Sequence, residues 1–186
     1  MVKIEEITGR LGNQMFLTAF LYAYARDNNL PLVDDALGYY YQDYKLFDHH
    51  RDNIKKLFGT GIVKSDYVAI HVRRGDYVGN PFYVDLMKTD YYQKAIAEFP
   101  NETFVVFSDD KDWCMKQDVF KDCEFNIWGD EITDFNRMAG AKGIIMANSS
   151  YSWWCAYLSD AKVIAPKAWH HDGVIRTKLL PEWKQI

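Results

Sequence analysis

Apolar runs of four or five residues alternate with longer stretches of helical periodicity along most of the chain. The sharpest run is 68–72, which carries Val68, Ala69, Ile70 and Val72 and turns abruptly into Arg73-Arg74-Gly75-Asp76. A short β-forming run closed by glycine predicts a buried strand entering a loop. Further strands are predicted at 103–107, at 143–147, more weakly at 124–127, and last at 163–165, before Pro166. Between them helices are predicted at 89–99, with Thr89 or Asp90 as the cap, from about Lys111, at 132–139 and at 151–158. Upstream, 1–7 alternates as a strand. A glycine-bearing loop follows at 8–14, then a buried helix at 15–26, rich in Phe, Leu, Ala and Tyr. Leu46, Phe47, Ile54, Leu57 and Phe58 repeat at a helical period and predict one helix over 44–58. Strands alternating with helices imply an α/β fold built on a parallel sheet with both faces covered.

This frame puts three polar clusters at equivalent places. Arg73-Arg74-Gly75-Asp76, Ser108-Asp109-Asp110 and Asn148-Ser149-Ser150 each follow a predicted strand. Ligands of open α/β sheets bind at those carboxyl ends. Two adjacent guanidinium groups suit phosphate or carboxylate, because their planar forks donate paired hydrogen bonds. The structural alternative is an ion pair of Arg74 with Asp76. Ser149, Ser150 and Ser152 stand near a helix start, where hydroxyls and unpaired N–H groups either cap the helix or cradle phosphate. Asp109 and Asp110 suit ribose hydroxyls or a guanine edge, or else cap the next helix. The loop at 8–14 reads G-x-x-G, without the dinucleotide G-x-G-x-x-G pattern, and is either an anion-binding turn or simply a tight one. His71 lies inside its strand, where a core histidine and a catalytic one are both open. Trp153 and Trp154 are adjacent, so one is expected in the core and the other along a cleft.

Composition narrows the classes. A length of 186 residues suits one domain or two very small ones, and 48% apolar residues are enough for a packed core. The net charge is −4 and no Lys/Arg block exceeds two residues, which argues against nucleic-acid binding. Cys114, Cys123 and Cys155 form no C-x-x-C, and His49 and His50 are adjacent rather than at i and i+4. Neither set predicts a metal site, and the two histidines are expected on a solvated face. Reduced thiols and the lack of a signal-peptide pattern point to the cytoplasm.

Several of these segments together resemble the α-1,2-fucosyltransferases, bacterial and viral forms in particular. The first is H-V-R-R-G-D-Y at 71–77. Gly9-Arg10-Leu11-Gly12-Asn13-Gln14-Met15-Phe16 is similar to that family's N-terminal signature, and Gln42 with Phe47 to a Q-x-x-x-x-F segment. Phe107-Ser108-Asp109-Asp110 with Trp113, Asn148-Ser149-Ser150-Tyr151-Ser152-Trp153-Trp154, and Pro166-Lys167-Ala168-Trp169 are similar to its later motifs. The resemblance implies a GT-B-like glycosyltransferase that moves L-fucose from GDP-fucose, with inversion, to the 2-hydroxyl of a galactose-containing glycan, without a metal or other cofactor. It implies that Arg73 holds the diphosphate, with Arg74 and Asp76 ordering the loop. Gly12 and Asn13 would approach the nucleotide sugar, Asp109 the nucleoside, and Ser149 and Ser150 the phosphates, with Arg74, Ser108, Asn148 and Ser152 also counted in the nucleotide-binding site. Asp76 and His71 are the candidates for acid–base work beside Arg73. The interval from Gly12 to His71 is shorter than is usual in the family. A reduced N-terminal, acceptor-side α/β segment over 1–60 is therefore expected before a Rossmann-like donor domain over 61–186. Peripheral association with the inner membrane face is compatible with such an enzyme. Alternatives are a GDP-sugar or glycan-binding module without turnover, and a fucosyltransferase of different linkage.

Overall fold

The computed structural model describes residues 9–27, 41–127 and 129–186, so the strand expected at 1–7 lies outside it. Six parallel strands form one sheet: β1 (Ser65–Val72), β2 (Phe104–Ser108), β3 (Glu124–Phe125), β4 (Ala141–Ile145), β5 (Lys162–Ala165) and β6 (Lys184–Gln185). Their spatial order is β3-β2-β1-β4-β5-β6. The Rossmann-type parallel sheet expected from the alternating pattern is therefore present. The order reverses between β1 and β4, and a crevice opens at such a switch point. β1 is central because its run is apolar on both sides. Val68, Ile70 and Val72 bury into one face with Tyr92, Phe99 and Phe120, while Ala69 buries into the other with Phe107 and Ile144.

Helix α1 (Leu11–Asp27) lies on the second face, against α6 (Ser150–Leu158). Phe16 packs its ring 4.6 Å from Trp153 and 5.0 Å from Trp154, and Phe47 stacks on Trp154 at 5.6 Å. Both tryptophans are fully buried, so neither lines a cleft. The reason is that α1 covers the side of α6 that would otherwise be open. The N-terminal helix and the sheet thus share one apolar cluster.

The expected helix over 44–58 divides into 3₁₀ turns at Tyr44–Leu46 and Asp48–His50 and a helix α2 (Arg51–Phe58). Asp43 caps the first turn by accepting from Lys45 N at 3.0 Å. Asp48 is drawn to Arg51 Nε at 2.6 Å and to the Tyr157 hydroxyl at 3.0 Å. His49 and His50, expected on a solvated face, both turn to the Asp27 carboxylate and tie the end of α1 to this segment.

The remaining helices are α3 (Tyr91–Ala97), α4 (Lys111–Cys114) and α5 (Glu131–Ala139). Thr89 Oγ1 accepts from Tyr91 N at the start of α3, whereas Asp90 makes no side-chain cap bond. β5 is not the last strand. The two-residue β6 pairs beyond it and is too short to leave a periodic signal. Among the described residues, no helix is long and apolar enough to cross a membrane.

Candidate active site

A cavity of about 910 Å³ opens at the carboxyl ends of β1, β2 and β4. This volume lies in the range of small-molecule sites. β1 delivers Arg73 into it. The guanidinium is held between two carboxylates, with Nη1 2.6 Å from Asp109 Oδ2 and Nη2 bonded to Asp76 Oδ1. Arg74 points elsewhere. Its Nε donates to Asp110 Oδ2 at 3.0 Å, and its guanidinium carbon lies 3.3 Å from the Trp113 ring centroid. The alternative pair of Arg74 with Asp76 does not form: Asp76 belongs to Arg73, and Arg74 is a bracket beneath the loop. The alternative in which the Asp110 side chain caps the next helix does not hold either, because its carboxylate serves Arg74 and makes no cap bond. Ser108 Oγ meets that helix start instead, accepting from Asp110 N at 3.0 Å.

Gly75 is required by this packing. A Cβ there would stand 2.6 Å from Asp109 Oδ2, closer than any real contact. Asp109 Oδ1 also accepts from Arg74 N at 2.8 Å, so Asp109 fastens the loop at two points. Burial would raise the Asp76 carboxyl, but the Arg73 guanidinium outweighs it and, with Arg10, holds it below the usual carboxylate range. Burial and the charge of Arg73 push His71 down to about 3, so its imidazole is neutral. Its Nδ1 is buried with no hydrogen-bond partner among the described residues.

The other wall is the N-terminus of α6. Ser149 caps it by accepting from Tyr151 N, and the Ser150 hydroxyl faces Asn13 at 3.0 Å. Gly12 allows α1 to reach this point. A Cβ on Gly12 would fall 2.6 Å from the Ser150 carbonyl carbon and 2.7 Å from Tyr151 N. Gly12, Asn13, His71, Arg73, Asp76, Ser108, Asp109, Ser149 and Ser150 all line the cavity. Three expected site residues do not. Ser152 is fully buried and turned to the carbonyls of Ala147 and Ser149, each at 3.2 Å. Asn148 donates to Val84 O at 2.9 Å and Trp169 O at 3.0 Å, clamping the surrounding loops. The third is Arg74, as above.

The profile of the family described as Glycosyl transferase family 11 matches residues 36–186. This chain belongs to glycosyl transferase family 11. "O-antigen biosynthesis glycosyltransferase WbnK" of Escherichia coli is 32% identical over 168 residues, covering 70% of this chain and 53% of that protein. "Alpha-1,2-colitosyltransferase" of the same organism is 32% identical over 160 residues, covering 70% and 54%. "Galactoside alpha-(1,2)-fucosyltransferase 1" of Rattus norvegicus is 29% identical over 179 residues, covering 78% and 45%. The chain thus spans about half the length of the curated relatives it matches. No solved structure matches it at a significant level.

In this family 11 chain the cavity also gathers residues that the sequence reading passed over as site residues. Arg10 lines it and adds a second positive charge near Asp76. Tyr77 stacks on Tyr83 with centroids 3.7 Å apart, and His170 packs against Tyr83 and Phe82 at 5.5 and 4.6 Å. These rings form an aromatic wall next to Arg73, whose guanidinium carbon is 5.5 Å from the Tyr77 centroid. Gln42 and Trp169 stood in quoted motifs and could have been added from them. Tyr83 and Thr177 carried no local signal, since only the tertiary fold brings them here.

Proposed function

We propose that this chain carries the donor side of a glycosyltransferase that moves L-fucose from GDP-fucose to the 2-hydroxyl of a galactose-containing glycan, with inversion. The observation that carries the reading is the convergence of Arg73, Ser149, Ser150, Gly12 and Asn13 on one cavity at the sheet's switch point. A diphosphate there meets a guanidinium fork on one side and the N–H groups of a helix start on the other. In the proposed step the bond between the anomeric carbon and the β-phosphate oxygen breaks, and its electron pair leaves with GDP. The acceptor oxygen bonds to the opposite face and gives up its proton. Arg73 and the α6 N-terminus stabilise the departing charge, the task a metal performs elsewhere. Asp76 stands ionised and half-exposed in the cavity, and we assign it the acceptor's proton late in the step, when that proton is most acidic. His71 stays neutral and shapes the pocket.

The relative named as a colitosyltransferase favours a second reading of the donor, with GDP-colitose in place of GDP-fucose. The aromatic wall of Tyr77, Tyr83 and Phe82 suits the apolar face of a pyranose ring in either case. The test is calorimetric titration with GDP, followed by transfer of labelled fucose or colitose to lactose-type acceptors, with linkage read by NMR. GDP is expected to bind, R73A to lose transfer while keeping its fold, and transfer to persist in excess chelator. Absence of GDP binding sinks the reading. Binding without transfer converts it to a sugar-nucleotide module without turnover.

A further inference from the structure

Four side chains from four segments meet on the cavity lining: Asn13 from the first turn of α1, Gln42, Ser150 from the first turn of α6, and Thr177 between β5 and β6. They form one continuous hydrogen-bonded run. Thr177 Oγ1 donates to Gln42 Oε1. Gln42 Nε2 donates to Asn13 Oδ1 at 2.9 Å, and Ser150 Oγ donates to the same oxygen at 3.0 Å. Lys178 N also donates to the Gln42 carbonyl at 2.9 Å, so Gln42 is fixed at its main chain as well.

The polarity of this run matters more than its length. A side-chain amide offers a carbonyl oxygen at one end and two N–H donors at the other. The Gln42 side-chain oxygen accepts from Thr177, and its NH₂ faces Asn13. Both lone pairs of the Asn13 carbonyl are then filled, by Gln42 and by Ser150. What Asn13 has left for a ligand is its NH₂. That group stands beside the start of α6, where Gly12 permits closest approach, and shares the cavity with Arg73. Two N–H donors there suit a phosphate oxygen, whereas the carbonyl end would repel it. The two ends of an amide are nearly isosteric, so nothing in Asn13 itself chooses between them.

We infer that Gln42, set by Thr177, is a positioning residue that locks the Asn13 amide with its NH₂ turned to a phosphate of the bound nucleoside diphosphate. This deepens the proposed donor site and rests on it. It also ties the segment carrying Thr177, beside the aromatic wall, to the diphosphate end of the cavity.

The test is a double-mutant cycle read as the dissociation constant of GDP on the full chain. N13A, Q42L and T177V are each expected to weaken GDP by about tenfold or more, the loss of one hydrogen bond to a charged group. T177S, which keeps the hydroxyl, recovers the affinity that T177V loses. Because Gln42 acts through Asn13, N13A/Q42L binds no more weakly than N13A alone. If Q42L costs N13A the same factor as it costs the parent chain, Gln42 acts on its own account and the inference is wrong. Should Q42L fail to fold, the contrast of T177V with T177S reads the same run, and equal GDP affinity in those two overturns it. A parent chain that does not bind GDP removes the donor-site reading and this inference with it. A parent that binds while Q42L matches it removes the inference alone.

Discussion

His71 sits on β1 beside Ala69, with Tyr151 at 5.4 Å between ring centroids, two residues before Arg73. Its folded pKa is about 3 against an ordinary 6.5, so between those values the unfolded chain binds a proton that the folded chain refuses. Stability from this residue is complete above pH 6.5 and is lost as pH falls toward 3, with a limiting slope of about 1.4 kcal/mol per pH unit. The expected outcome is that urea midpoints fall between pH 7 and pH 5 in the parent chain and fall less in H71F. Equal pH slopes in the two would show that His71 is not the buried neutral group. At this scale the R-R-G-D pattern put both arginines and Asp76 in one loop, but by itself it did not say which arginine pairs with Asp76. Adjacent residues at a strand end face opposite ways, and which one meets the cavity depends on sheet register. Register is not written in R-R-G-D itself.

α1 and α6 meet through aromatic rings, and that contact holds Asn13 and Ser150 within hydrogen-bond reach. Phe16 is fully buried between Phe47, Trp153 and Trp154. F16A is therefore expected to cost about 3–5 kcal/mol of stability, read from denaturant midpoints at constant slope. A loss under 1 kcal/mol, on the order of a surface substitution, would contradict this packing. Most elements were legible because their periodicity is strong: β1, β2, β5, α5 and α6 begin within three residues of expectation. The helix over 44–58 misled because Asp43 and Asp48 use their carboxylates locally, which splits a continuous apolar period into turns. The buried pair Trp153-Trp154 misled because its second face is covered by α1, a contact that no window around residue 153 contains.

Across the whole molecule the N-terminal helix belongs to the same apolar cluster as the sheet. Unfolding is accordingly expected to be one transition, with tryptophan fluorescence and far-UV circular dichroism coinciding. Two separated transitions would mean that 1–60 and 61–186 fold independently. The strand-end side of the cavity was legible because strand-end clusters converge by topology alone. The aromatic wall was not, because an isolated antiparallel bridge brings His170 to Tyr83, and a single bridge leaves no periodic signal. The chain carries a net charge of −4, so its long-range field does not draw anions in. Arg73 already has Asp76 and Asp109 as internal counter-ions. Occupying Arg73 is thus an exchange of partners rather than the filling of a bare charge. A singly charged or one-point anion gains too little to displace a carboxylate that the loop holds in place. On the proposed donor reading, a ligand with several phosphate oxygens, bonding at once to the arginine and to the start of α6, would take its place, and simple anions would be screened out.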